Sequence, residues 1–515
     1  MKYVNQKHRF KFIIVVATLL WSATSCMDSE KINTPKYLPE VLSVGSYFVQ
    51  MQNIVYPAQE NNYQMCESLI GDVYGRYMTI TNSGWLSSFA TFNAPDNWLN
   101  VPFDKVFSTF YSAWIEVKNR TNGQGVSFAW AQLLKVAAMQ RMTDLYGPIP
   151  YSKVANGNIQ VAYDTQEAVY NQMFEDLDNA IAILTAYVLS YPNEKPMEDY
   201  DKVYGGDYSK WIRFANSLKL RMAMRIVYAN PTLAKAKAEE AVSHPGGLID
   251  KNDYNAALSY SPNPIRIMWD NYTDARVCAD IVTYMKGYSD PRLSKYFQMG
   301  IINNVQGYYG LRSGISIPSK SWALNYSAPS VTVGDPLLWM NAAEVAFLKA
   351  EGAMRRWNMG SGTEADFYNL GINLSFAQYG VSSSYSTYIA DGSSKPADYD
   401  DPTYPEVAQS SITIKWDDSA SDEVKLERIM VQKWLAMWPL GQEAWSEYRR
   451  TGYPKFFPVK VNRNSDASLT TELASRIPFP PNEKINNSAN YENALSLLGG
   501  ADSYSTRLWW DKKVK

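Results

Sequence analysis

A mostly α-helical frame carrying long irregular loops is the architecture this sequence predicts, on two observations. Apolar residues recur at steps of three and four in segment after segment, the spacing of one face of a helix. Between those segments lie stretches rich in Ser, Asn, Gly, Pro and aromatic residues, longer than a compact domain keeps without a use.

In chain order, the first strong helix is predicted over residues 127–145, where Ala131, Leu134, Ala138, Met142 and Leu145 line one side. Gly147, Pro148 and Pro150 end it. Over 165–184, Val169, Met173, Leu177, Ala180 and Leu184 share a face, and Asp164 with Glu167 three residues on reads as a capping box. Further helices are expected over 209–228, 232–243, 336–357, 364–379 and 422–450, the last broken near Pro439-Leu440-Gly441. Asp335-Pro336 reads as a cap followed by proline at the first helical position. Helices pair across short turns, as in helical hairpin repeats, without a clean fixed period. The long stretches are 82–102, 260–333 and 382–419, with a strand-like run over 411–416. Loops on a rigid frame commonly carry function.

The chain begins with an export signal. Lys2, Lys7, Arg9 and Lys11 precede an apolar run over 12–20, far short of the roughly 20 residues that span a membrane, and Ala23-Thr24-Ser25 lead to Cys26. Cys26 is expected to be the acylated first residue of a bacterial lipoprotein; the other reading is an ordinary cleavage site beside a cysteine, and Ala23 stands where lipoprotein signals usually carry Leu. This divides the chain into a signal peptide, 1–25, and one interwoven unit, 26–515. Without the signal the chain carries 45 Lys plus Arg against 51 Asp plus Glu, a net of -6, which does not attract nucleic acid. The unit keeps Cys66 and Cys278, too few for a disulfide scaffold, and one histidine, His244, read as a helix C-terminal residue. Zinc sites and Ser-His or Cys-His catalysis are therefore nearly excluded. No cofactor is expected. Trp and Tyr number 53 against 18 Phe, a bias toward side chains with an apolar face and a polar tip; most are expected in the core and a minority in solvent-facing loops.

MTDLYGPIPY (142–151), YDTQEAVYNQMFEDLDNAI (163–181), SKWIRFANSLKLRMAMRI (209–226), SDPRL (289–293), EVAFLKAEGAMRRW (344–357) and EAWSEYRRTGYP (443–454) resemble, in order and spacing, the SusD/RagB family of outer-membrane nutrient-binding lipoproteins, in its SusD-like branch of Bacteroidetes. The resemblance implies a frame of four tetratricopeptide-like helix pairs and a SusC-like TonB-dependent β-barrel as partner. It also implies anchoring in the cell outer membrane through lipid, facing outward, with Asp28 and Glu30 resembling a surface-export signal. The physical reading of these motifs is structural: Asp144 at a helix end is expected to bond Arg141 or amides of the Gly147 turn, and Arg449 and Arg450, beside Trp445 and Tyr448, to hold the fold.

A sugar offers hydroxyls and flat C–H faces, so its site combines aromatic platforms with planar polar side chains. Trp85, Phe92, Asn93, Asp96, Asn97, Trp98 and Asn100 supply both within one loop; Asn97 and Trp98 are the first choices. Trp269, Asn271, Tyr272, Arg276, Tyr308, Tyr309, Arg312 and Trp322 form the second candidate, and in the family, loops from both regions carry ligand contacts. Against each aromatic stands packing on the frame. Asp398, Asp400 and Asp401 read as a solvated turn rather than a calcium loop. The leading reading is non-catalytic capture of an oligosaccharide for delivery to the barrel. Capture of a peptide or another nutrient, or a lid binding little by itself, is the alternative, and a glycoside hydrolase or a pure interaction scaffold the remoter ones.

Overall fold

The computed structural model describes residues 44–157, 160–470 and 473–514. The expected signal 1–25, Cys26, Asp28 and Glu30 lie outside the described residues. The principal helices are α1 (Val44–Val55), α2 (Asp96–Thr121), α3 (Gly125–Tyr146), α4 (Gln166–Ser190), α5 (Tyr208–Arg225), α6 (Pro231–Ser243), α7 (Ala342–Met354), α8 (Glu364–Gln378), α9 (Asp422–Ala436) and α10 (Gly441–Thr451). Neighbours pack pairwise, α1 on α2, α3 on α4, α5 on α6 and α7 on α8, and α4 against α5 and α7 against α9 join the pairs. This is the stacking of tetratricopeptide-like repeats, in which each pair buries the apolar face of the next.

Local chemistry explains most helix starts. Asp207, Asn230, Thr363 and Ser421 each accept a hydrogen bond from a backbone N–H of the first turn they precede. Two expected caps are corrected. Thr165, not Asp164, caps α4, accepting from Ala168 N at 3.1 Å; Asp164 turns back to accept from Ser152 N at 2.7 Å and Ser152 Oγ at 2.8 Å. Asp335-Pro336 begins no helix: Asp335 accepts from Thr332 N, and Leu337–Met340 is a buried strand, β4, paired with β2 (Ala256–Leu258). The helix starts only after Asn341, whose Oδ1 accepts from Glu344 N at 2.9 Å. A short, wholly apolar run fits strand and helix alike, and here the pairing partner decides.

Two more expectations change. The loop 82–102 ends at Pro95, and Asp96, Asn97, Trp98 and Asn100 lie in the first turns of α2. Proline and asparagine read as breakers, but Pro102 is buried inside the helix, where Leu99, Phe103, Val106 and Phe107 anchor its face and outweigh the lost bond. The run 411–416 is not a strand; Tyr288 OH and Tyr368 OH take the Ile412 and Ile414 carbonyls that a ladder would use. Cys66 and Cys278 are both buried free thiols. The break between α9 and α10 is present, and Gly441 has a reason to be glycine: a Cβ there would sit 2.5 Å from Asp72 N. That approach lets α10 lie on the turn Asp72–Tyr74.

Trp130, Trp211, Trp339, Trp434, Trp445 and Trp510 are fully buried in the core. Threaded through it is a network of buried charge. Arg450 grips Glu351 with two bonds of 2.6 Å and Glu447 at 2.7 Å; Arg221 grips Glu344 with two of 2.7 Å. Arg225 pairs with Glu443 and Glu447 and lies 3.2 Å from Asp144. Asp144 also accepts from Tyr170 OH, Trp510 Nε1 and Gln140 Nε2, so its role is structural as expected, with partners other than Arg141 or the Gly147 turn. Arg449 donates to the Asp144 and Ser475 carbonyls while lying 3.8 Å over the Trp445 ring. His244 closes α6 and accepts from Gly246 N at 3.0 Å.

Candidate functional site on the loop face

The two candidate regions, nearly two hundred residues apart in sequence, are joined by a short antiparallel pair. β1 (Met78–Ile80) runs against β3 (Ala275–Val277) with Ile80 opposite Ala275. The pairing continues one residue further: Thr81 N donates to Asp274 O at 3.1 Å and Thr81 Oγ1 to Thr273 O at 2.6 Å. The loop that carries Trp85 therefore leaves the pair beside the turn that carries Trp269 and Tyr272.

A third loop is tied to the same place. Lys320 Nζ donates to Tyr272 O and to Asp274 Oδ1, both at 2.8 Å, and Gln64 Nε2 donates to the other Asp274 oxygen at 3.0 Å. Lys320 opens the short helix Lys320–Ala323, which holds Trp322. Tyr272 OH donates to Asn61 Oδ1 at 3.1 Å. Asn61, Gln64, Asp274 and Lys320 were not legible as site residues in the sequence, because each is an ordinary polar residue whose partner lies far along the chain.

The expected aromatic residues divide by what they touch. Trp85 is half-buried with its ring edge-on to Trp98 at 5.2 Å, and Trp98 stacks on buried Phe89 at 6.2 Å. Trp98 is thus also half-buried and supports Trp85 from below, while Asp96 and Asn97 are exposed on the first turn of α2. Phe92 is wholly buried, Asn93 is spent on its own turn and Asn100 accepts from Asn482 N. Trp269 is half-buried, donates to Val331 O at 3.3 Å and lies under the Arg266 guanidinium at 4.5 Å. Arg276 and Arg312 are buried and spend their donors inside: Arg276 on the Trp269 and Ala275 carbonyls, Arg312 on Pro458 O and Glu406. Both are holders of loop geometry.

Tyr308 and Tyr309 line a cavity of 240 Å³ together with Tyr326, Tyr399, Lys286 and Asp401. The second candidate region and the acidic turn, separate in sequence, meet here. Asp398 and Asp400 are exposed, but Asp401 is buried, a correction to the solvated turn: it accepts from Tyr326 OH at 2.6 Å and from Thr403 N and Tyr404 N. Burial, then the bond to Asp401, pushes the Tyr326 hydroxyl well above its ordinary range, so it stays a donor. Trp322 packs edge-on to Tyr326 at 4.9 Å and to Tyr404 at 6.3 Å, and shares a small apolar cluster with Tyr309. Among the described residues no group of three His, Cys, Asp or Glu side chains is arranged to hold a metal, and no helix is long and apolar enough to cross a membrane. The arrangement offers aromatic surfaces at several angles, with hydroxyl, amide, carboxylate and ammonium groups between them.

The comparisons agree on one family. The description of the Susd and RagB outer membrane lipoproteins, the SusD-like family, matches residues 26–511. A SusD homologue from Bacteroides thetaiotaomicron is 41% identical, with a TM-score of 0.88 over 92% of this chain and 100% of that one. One from Bacteroides uniformis is 42% identical, with a TM-score of 0.86 over 91% and 99%. A chitin-binding SusD homologue from Flavobacterium johnsoniae is 40% identical, with a TM-score of 0.86 over 91% and 98%. No curated protein matches.

Proposed function

The chain belongs to the SusD-like family of nutrient-binding outer membrane lipoproteins, and from that premise we propose that it captures an oligosaccharide at the outer surface of the cell. It then delivers the sugar, unaltered, to a SusC-like TonB-dependent β-barrel, from a position anchored by the lipid on Cys26. The observation that carries this reading is the meeting of three loops at the end of the β1–β3 pair. Trp85, Tyr272 and Trp322 come from three different stretches of chain, and none is fully buried. A sugar ring presents a C–H face to each such platform and its hydroxyls to the polar groups between them. Lys320, bonded to Tyr272 O and Asp274, ties the Tyr272 turn to the helix that carries Trp322, which reduces the ordering left to binding. Tyr308 and Tyr309, in the adjoining cavity, extend the site for further sugar units.

The likeness to a chitin-binding relative makes oligomers of N-acetylglucosamine the first ligands to try. The test is titration of the mature chain lacking Cys26 with a glycan and peptide panel, alongside Trp85→Ala and Trp322→Ala. Saturable binding to a glycan, weakened tenfold or more by either substitution, is the expected result. Binding to peptides alone, or to nothing, would sink the carbohydrate reading in favour of a peptide receptor or a lid.

A further inference from the structure

A second cavity, of 770 Å³, lies along α2, bounded by that helix, by Pro150, Val154, Ala155, Gly157 and Val161, and by the short helix Pro481–Asn486. Its size is that of a small-molecule site. Phe103, Phe107 and Tyr111 form one wall, with the Phe103 and Phe107 rings stacked at 4.2 Å. Asp104 and Glu483 are the charged side chains lining it, and no lysine or arginine does.

Both carboxylates are held by neutral donors. Asp104 accepts from Asn482 Nδ2 at 3.0 Å, and Glu483 accepts from Tyr163 OH and Asn487 Nδ2, each at 2.9 Å. Such donors orient a carboxylate without cancelling its charge. Among the described residues neither takes part in an ion pair. The two carboxylates thus favour a positive charge beside a wall that favours an apolar body.

We propose that this cavity binds an organic cation, a compact ammonium group on an apolar, ring-bearing body. The ring packs on the exposed margins of Phe103, Phe107 and Tyr111, and the charge rests beside the two carboxylates. An anion of the same shape meets two negative groups and no positive one. A neutral molecule gains the packing alone.

Calorimetric titration of the mature chain lacking Cys26 with benzyltrimethylammonium, benzyl alcohol and benzenesulfonate tests this. The cation is expected to bind saturably, at least tenfold more tightly than the alcohol and more weakly as salt rises, with no binding of the sulfonate. In Asp104→Asn with Glu483→Gln, whose amide oxygens can accept the same hydrogen bonds, the preference for the cation over the alcohol should disappear at an unchanged melting temperature. Equal binding of cation and alcohol by the unaltered chain would overturn the proposal even if the double variant did not fold. So would an unchanged preference in a folded variant, or no saturable cation binding. Glycan titration of the same variant is expected to match the parent, so loss of one site is separable from loss of the other.

Discussion

The helical frame and the loop face use polar chemistry in opposite ways. In the frame, charges are sealed: Arg450, Glu351 and Glu447 are buried and answer one another with several bonds each. On the loop face, Trp85, Tyr272 and Trp322 remain part-exposed, and one ion pair, Lys320 with Asp274, ties the loops while staying in reach of water. A buried charge whose partner is removed has no water to turn to, whereas an exposed platform can be cut away with little effect on folding. The motifs most recognisable in the sequence therefore belong to the frame, and the residues proposed to bind belong to the face.

The largest test of this contrast is Arg450→Met. Removing one member of a buried charge cluster typically costs about 3–5 kcal/mol, and denaturant unfolding should show a loss in that range. Adding Glu351→Met should recover part of it; a double variant no more stable than the single would mean that the pair is not what the frame depends on.

Acid titration sharpens the same point. Burial pushes the Glu447 carboxyl up, but Arg450, Lys433 and Arg225 together hold it well below the usual carboxylate range, and Arg450 and Arg355 hold Glu351 down despite its burial. The folded state then binds these protons less readily than the unfolded chain does. Their stabilisation is full above the unfolded value of about 4.5 and is lost as pH falls toward the folded values. Asp72, whose carboxyl burial and then Glu67 push well up, works the other way. The melting temperature of the parent chain should accordingly fall toward that of Arg450→Met as the pH drops below about 4.5. A gap that stays constant would show that the arginine acts through packing instead.

The smallest stability effects belong to the face. Trp98→Ala, which removes the ring between Trp85 and Phe89, should cost about 1–3 kcal/mol of stability, whereas Trp85→Ala and Asn97→Ala should stay within about 0.5–1 kcal/mol. Melting curves measure this, and glycan titration gives the other half of the comparison. Trp85→Ala should weaken binding tenfold or more, and equal losses of stability in Trp85→Ala and Trp98→Ala would erase the distinction between platform and support.

Much of the frame could be read from the sequence because a helix is a local object. The apolar steps of Val169, Met173, Leu177 and Ala180 fix one face of α4, and the Gly147 turn closes α3, whatever else the chain does. Local signal and structure part where a distant partner intervenes. Asp335-Pro336 has the form of a helix start, yet Leu337–Met340 pairs with Ala256–Leu258. Pro102 has the form of a break, yet packing carries α2 through it. The aromatic residues were harder still, since nothing in a tryptophan's neighbours along the chain says whether its face meets solvent. Phe92 and Trp98 looked alike in sequence; one is in the core and the other half-exposed.

By itself, then, the sequence determined the helical frame, its pairing and the family, all carried by spacings of a few residues or by motifs in fixed order. Only the tertiary structure decided which aromatics stand open, that Arg276 and Arg312 are occupied inside, and that Tyr308 and Tyr309 share a cavity with Asp401. Those outcomes rest on contacts between segments far apart in the chain, and burial is a property of the packed whole that no local pattern encodes.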